Sequence, residues 1–157
     1  MERFALPAIS PEITAHGHAG NNTIRVGDKN IEVSVVSLGN PHCVLLVDDV
    51  DVAPVDELGP QIEHHERFPQ GTNVGFMHIN DRQNISLRVH ERGVGETAAC
   101  GTGACAAVAS GQCLGLLDEA VRVHLPGGQV VVSWRGGDNP VWLSGDAGLI
   151  SEGMMDL

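Results

Sequence analysis

An α+β domain, with mixed and antiparallel strands wrapped around one central helix, is what this sequence predicts, and three observations predict it. Apolar and polar residues alternate in three separate regions, 21–40, 72–93 and 121–148, which is the period of half-buried strands. Between the last two lies "GTGACAAVASGQCLGLL", residues 101–117, small or apolar nearly all round. A helix with no charged face is enclosed by other elements rather than laid on a surface. Turn-forming residues punctuate the alternating regions at "GDKN", "NDRQ" and the Pro, Gly and Asp clusters of the tail.

Taken in order, residues 1–20 are rich in Pro, Ala, Gly and His and read as a connecting segment at the start of the domain rather than as core, with 21–157 as the domain proper. "NNTIRVGDKNIEVSVVSLGN" gives two strands joined at "GDKN", and "HCVLLVDDV" gives a buried strand. In "VAPVDELGPQIEHHERF", residues 52–68, Val55, Leu58, Ile62 and Phe68 fall at helical spacing, so a surface helix is expected, disturbed by Gly59 and Pro60. "TNVGFMHIND" and "NISLRVHERG" form a second hairpin, followed by the loop "GVGETAAC" and the central helix. "VRVHLPGGQ", "VVVSWRGG" and "PVWLSGDAG" supply three more strands.

Composition narrows the function. With 157 residues, 42% hydrophobic and 18% charged, the chain is one globular domain with a real core. Its 20 acidic and 9 basic residues leave a formal charge of −11, scattered along the sequence. Such a field repels phosphate backbones and anionic lipid, so no nucleic acid and no membrane partner is expected. No window approaches a membrane span and "MERFALPAIS" lacks the features of a signal peptide, which points to a cytoplasmic protein. Three of the four cysteines, Cys100, Cys105 and Cys113, share one helical stretch where disulfide geometry is rare, so reduced thiols are expected.

Of these, Cys100 has a chemical address. It stands where a glycine-bearing loop becomes a helix, and a thiol at a helix N-terminus can have its pKa lowered into the range about 3.5 to 7.5. The N–H groups of Gly101, Thr102 and Gly103 lack intrahelical partners in the first turn and favour an anion beside the sulfur. The plainer reading is that a cysteine among alanines is a small buried hydrophobe, as Cys105 and Cys113 are.

The company of Cys100 decides between them. "LGNPHCV" at 38–44, "FPQGTNVGF" at 68–76 and "VHERGVGETAACGTGACA" at 89–106 together resemble the diaminopimelate epimerase family. That resemblance implies cofactor-independent interconversion of LL- and meso-diaminopimelate, on the route to lysine and cell wall, with no pyridoxal phosphate and no metal. It implies that Cys100 is one of two catalytic cysteines and that Gly101 and Thr102 supply backbone donors to the substrate α-carboxylate. Asn40, Asn73, Glu91 and Arg92 match substrate-binding positions, and His42 and Glu91 match polar groups near the reacting centre. The residue types suit the chemistry: inverting an α-carbon needs a base on one face and an acid on the other, and the developing charge needs preorganised donors.

Members of the family resembled have two similar domains, each contributing a cysteine, and run about twice this length. This sequence matches the C-terminal domain; the "CGNG"-type motif of an N-terminal domain is not in it. The segment "ERFALPAISPE" resembles the crossover between domains, so an excised part of a longer chain is expected ahead of a natural single domain. Alone it would be inactive, and the whole enzyme would be a homodimer.

Three other readings stay open at this stage. A related cofactor-independent racemase acts on another amino acid such as proline or hydroxyproline. A non-catalytic anion- or nucleotide-binding module would use the Gly-Thr-Gly helix end, although "CGTGACA" lacks the Lys and spacing of a phosphate loop. A cysteine hydrolase would pair Cys100 with His42 or His90. His16, His18, His64 and His65 lack partners at familiar ligand spacing, so no metal site is expected.

Overall fold

The computed structural model describes residues 2–5, 12–13 and 22–146. Among the described residues, eleven strands form one mixed sheet whose main path runs β1(Glu2–Ala5), β11(Trp142–Gly145), β10(Gly128–Ser133), β9(Ala120–Leu125), β7(Asn84–Glu91), β6(Asn73–Asp81), β5(Pro41–Leu46), β4(Lys29–Ser37) and β2(Glu12–Ile13). β3(Asn22–Val26) pairs with β4, and β8(Gly95–Thr97) with β7.

The two predicted hairpins form where expected. β3 and β4 meet through Gly27-Asp28, with positive φ (59°) at Gly27 alone, the first-position pattern of a type II′ turn. β6 and β7 are antiparallel and turn through Arg82-Gln83.

Two pairings are parallel, β5 with β6 and β7 with β9. Parallel neighbours need a crossover, and each crossover carries a helix: α1(Val55–Glu63) between β5 and β6, α2(Gly101–Cys113) between β7 and β9. The helices sit on opposite faces. α2 packs with Val36, Val44, Met77, Leu87, Val121 and Val132, while α1 packs with a second cluster that includes Ile24, Cys43, Leu45, Val74 and Phe76. Neighbouring residues of β5 and β6 therefore point into different cores, which is why "CVL" and "VGFM" are apolar without interruption.

The sheet closes around α2. β1 and β2 lie at opposite ends of the nine-strand path, yet only residues 6–11 separate them in sequence. Eight interstrand spacings laid flat would span about 38 Å, whereas seven chain steps reach about 25 Å, so the sheet must curl back on itself. The stretch 1–20, expected as a connecting segment, thus contributes a strand to each end of the path.

Both helices are shorter than their sequence patterns. α2 stops at Cys113 rather than Leu117 because Gly115 adopts φ +74°, with Leu116 N donating to Gly111 O (2.9 Å) and Gly115 N to Gln112 O (2.9 Å). These two bonds make a Schellman cap, and Leu117 folds back onto Gly111. α1 occupies 55–63 rather than 52–68: Pro54 precedes its first turn, and Phe68 reaches the core from a turn in which its N–H donates to His65 O (2.8 Å). The loop "GVGETAAC" contains β8, three residues too short to show alternation.

Candidate active site

The crossover topology gathers the singled-out side chains. Because β5 and β6 run parallel, both begin at the same edge, with His42 opposite Asn73. β7 runs antiparallel to β6 and ends at that edge, where Val74 faces His90, so Glu91 and Arg92 emerge beside Asn73. The start of α2 comes to the same place.

Cys100 is the N-cap of α2, in extended conformation (φ −138°, ψ 107°), and its sulfur accepts from Gly103 N at 3.3 Å. The first helical bond runs from Ala104 N to Cys100 O (2.9 Å), which leaves the Gly101 and Thr102 N–H groups without intrahelical acceptors. Gly101 is exposed and Thr102 half-buried. Gly103 permits the close fit: a Cβ there would lie 3.1 Å from the Cys100 sulfur and 3.1 Å from Val89 Cγ2.

Polar contacts spread from this end. The Thr102 hydroxyl lies 3.8 Å from the Cys100 sulfur and accepts from Asn40 Nδ2 at 3.4 Å. Asn40 Oδ1 in turn faces His42 Nε2 at 3.2 Å. Asn73 donates to Pro41 O (3.1 Å) and accepts from Arg92 N (3.0 Å), binding the starts of β5 and β6 to the end of β7. Glu91 accepts from the Thr97 hydroxyl. Arg92 is exposed, with Nη1 donating to Gln70 O at 3.2 Å.

The titration of Cys100 differs from the expectation of a depressed thiol. Burial, with the sulfur-bearing residue only 7% exposed, pushes its pKa up, and the neighbouring Glu91 carboxylate adds to that rise; bonds to Gly103 N–H and Thr102 pull the other way. The resting form is the protonated thiol. Burial, then the nearby Arg92 cation, lowers His42 to about 4, so its imidazole is neutral at physiological pH. Cys43 and Cys105 are raised to about 12 by burial and are inert core residues.

Neither histidine weighed for a hydrolase stands as a base to Cys100: His42 faces Asn40, and the buried His90 ring faces Glu63 Oε2 at 2.7 Å. Of the histidines weighed for metal, His64 is exposed beside Glu63, His65 faces the Arg25 carbonyl (3.0 Å), and His16 and His18 lie outside the described residues. Sequence reasoning passed over Glu63, which also accepts from Gly93 N at 2.8 Å. A signal for it exists: with Val55, Gly59 and Ile62 it occupies the buried stripe of α1, an unusual place for an acid.

A family model described as diaminopimelate epimerase matches residues 34–150. A diaminopimelate epimerase from Nitrosomonas eutropha is 54% identical over 134 residues, covering 85% of this chain and 48% of that protein. One from Nitrosomonas europaea is 52% identical over 151 residues, covering 96% of this chain and 54% of that protein. The chain spans about half the length of these curated relatives. Among solved structures, a probable proline racemase from Agrobacterium radiobacter K84, with bound carbonate, has a TM-score of 0.63 at 15% identity over 98% of this chain and 53% of that one. A hydroxyproline epimerase from Agrobacterium vitis, with bound trans-4-hydroxy-L-proline, has a TM-score of 0.56 at 16% identity, over 80% and 45%. At such identities these two structures speak to the fold alone, an α+β sheet of mostly antiparallel strands. The family model and the sequence relatives, which match most of the chain, go further: this chain belongs to the diaminopimelate epimerase family.

Proposed function

We propose that this chain is the C-terminal half of a diaminopimelate epimerase, presenting one face of a two-thiol active site. The observation that carries this reading is Cys100 as N-cap of a buried helix whose first turn, exposed at Gly101, offers the N–H groups of Gly101 and Thr102 as donors beside the sulfur.

Diaminopimelate would enter with its α-carboxylate on the N–H groups of Gly101 and Thr102, where charge developing at the α-carbon is delocalised and stabilised. Arg92 suits a carboxylate, Glu91 an ammonium group, and Asn40 and Asn73 either end. For one isomer, the Cys100 thiolate takes the α-proton, forming an S–H bond as the C–H bond breaks, while a thiol on the opposite face delivers a different proton to the carbanion. For the other isomer the roles reverse. Because Cys100 rests protonated, it is ready as the acid; to act as base it must first lose its proton, and Glu91 is the adjacent acceptor. His42, neutral and buried, orients Asn40.

The opposing thiol belongs to an N-terminal domain corresponding to the rest of the relatives' length, and residues 1–20 act as the crossover into residues 21–157. The chemistry needs no pyridoxal phosphate and no metal. The whole enzyme is a homodimer of the bacterial cytoplasm.

The test is α-proton exchange of LL-diaminopimelate in deuterated buffer, followed by NMR. The chain is assayed alone and mixed with the N-terminal half of the Nitrosomonas europaea relative. Exchange in the mixture and none in the chain alone is expected. Turnover by the chain alone overturns the half-site reading; no exchange in a mixture whose halves associate overturns diaminopimelate as substrate, and proline is then the next substrate to assay.

A further inference from the structure

The turn after β7 carries both charged residues of the candidate site, and its shape is held from beneath. Val94 N donates to Glu91 O (3.0 Å), and Gly93 in third place has φ +75°, so residues 91–94 form a type II turn. Types I and II differ in the orientation of the central peptide, here the one joining Arg92 to Gly93. In this structure that peptide's N–H is taken by Glu63 Oε1 at 2.8 Å, and the preceding N–H, of Arg92, by Asn73 Oδ1 at 3.0 Å.

Glu63 occupies a costly place for an acid. It is 5% exposed, the last residue of α1, and no basic residue lies in that helix's last turn. Burial and the negative end of a helix both disfavour a carboxylate. Burial alone would raise its pKa, yet bonds from His90 and Gly93 and the nearby His64 outweigh that and hold it below the usual carboxylate range. The His90 ring that shares the carboxylate is itself wedged: a Cβ on Gly59 would lie 2.6 Å from His90 Cγ, so α1 rests directly on the imidazole.

We propose that Glu63 is a positioning residue: its buried carboxylate, shared between the His90 ring and the Gly93 N–H, locks the 91–94 turn in the form that sets Glu91 beside Cys100. The proposal deepens the epimerase reading, on which only its kinetic consequence rests.

Cys100 reports the lock without any turnover. With the turn released, Glu91 withdraws from the sulfur, the thiol ionises more readily, and alkylation at neutral pH accelerates about tenfold, with Cys113 as the internal reference. This is expected of E63A in the 157-residue chain, together with an upfield shift of the Gly93 amide proton. E63Q keeps an oxygen for Gly93 and stays within about threefold of the parent. G93A reaches the same turn from outside: Gly93 is exposed, a Cβ there meets nothing within 4 Å, and only its positive φ is disturbed. It should reproduce the E63A pattern with the core intact. An unchanged Cys100-to-Cys113 labelling ratio in E63A, or in G93A where E63A fails to fold, overturns the proposal. In the completed enzyme E63A should raise KM for diaminopimelate more than it lowers kcat. A parent mixture without turnover would count against the epimerase reading while the labelling ratio still decides the role of Glu63.

Discussion

The two ends of α2 are built on opposite plans. At its C-terminus the chain closes: the Schellman bonds to Gly111 and Gln112 satisfy carbonyls, and Leu117 covers Gly111 so tightly that a Cβ there would sit 2.3 Å from Leu117 Cδ1. At its N-terminus Gly101 is exposed, a Cβ there would have Leu143 Cδ2 as its one near neighbour among the described residues, at 3.2 Å, and the groups that gather are a thiol, amides, an imidazole and a carboxylate. One helix thus serves as core along its length and, under the proposed function, as a reagent at one tip. On that reading stability belongs to the closed end and chemistry to the open one.

The largest break in that contrast comes from the two cysteines at either side of the first turns. In the completed enzyme C100A should lower α-proton exchange by at least about a thousandfold while costing no more than about 1 kcal/mol through its lost cap bond. C105A should do the reverse, keeping exchange and costing about 1–2 kcal/mol for a small cavity, read by urea unfolding.

The next effect separates polar from apolar burial. His42 takes no proton until about pH 4 when folded but titrates near 6.5 when unfolded, so the unfolded state binds more protons between those values. The stability this group contributes is present above pH 6.5 and is lost as pH falls toward 4, on the order of 3 kcal/mol in all. H42Q should flatten that window in pH-dependent urea midpoints. Loss through Glu63 begins lower, below its unfolded value near 4.5, and should survive the substitution.

Alanine scanning of the helix glycines sharpens the same contrast on a smaller scale. G111A should destabilise by about 1–3 kcal/mol through overpacking on Leu117. G101A should cost less than about 0.5 kcal/mol and instead weaken substrate binding in the completed enzyme. Smallest in its effect on stability is E91Q, which removes the anion beside Cys100 and should speed its alkylation about tenfold at pH 7, leaving Cys113 unaffected.

The sequence revealed most where one local rule governs. Both hairpins follow from period-two alternation and their turn residues, and the enclosed helix from its lack of a charged face. Its end was misread because Leu114, Leu116 and Leu117 continue the apolar composition, whereas the stop is set by the backbone of one residue, Gly115. Phe68 fits the stripe of α1 by spacing yet belongs to a turn beyond it. The residues near Cys100 came from motifs, but what brings His42 level with Asn73 is a parallel register between strands thirty-one residues apart, which no local pattern encodes. Glu63 was hidden for another reason: an acid in "EHHERF" looks solvated until the helix face it occupies is known.

The closure of the sheet has a consequence for how the chain acquires its fold. Phe4 pairs with Leu143, so one of the first strands in this sequence waits for one of the last before it has a partner. Ile13, a few residues on, pairs instead with Val36. Such long sequence separations make loop closure entropically expensive before any contact repays it. The hairpins can form early, the parallel pairs after them, and the join between β1 and β11 last. Until that join is made β11 is left as an uncovered edge, and a slow final phase in refolding, sensitive to protein concentration through edge-to-edge association, is its expected kinetic signature.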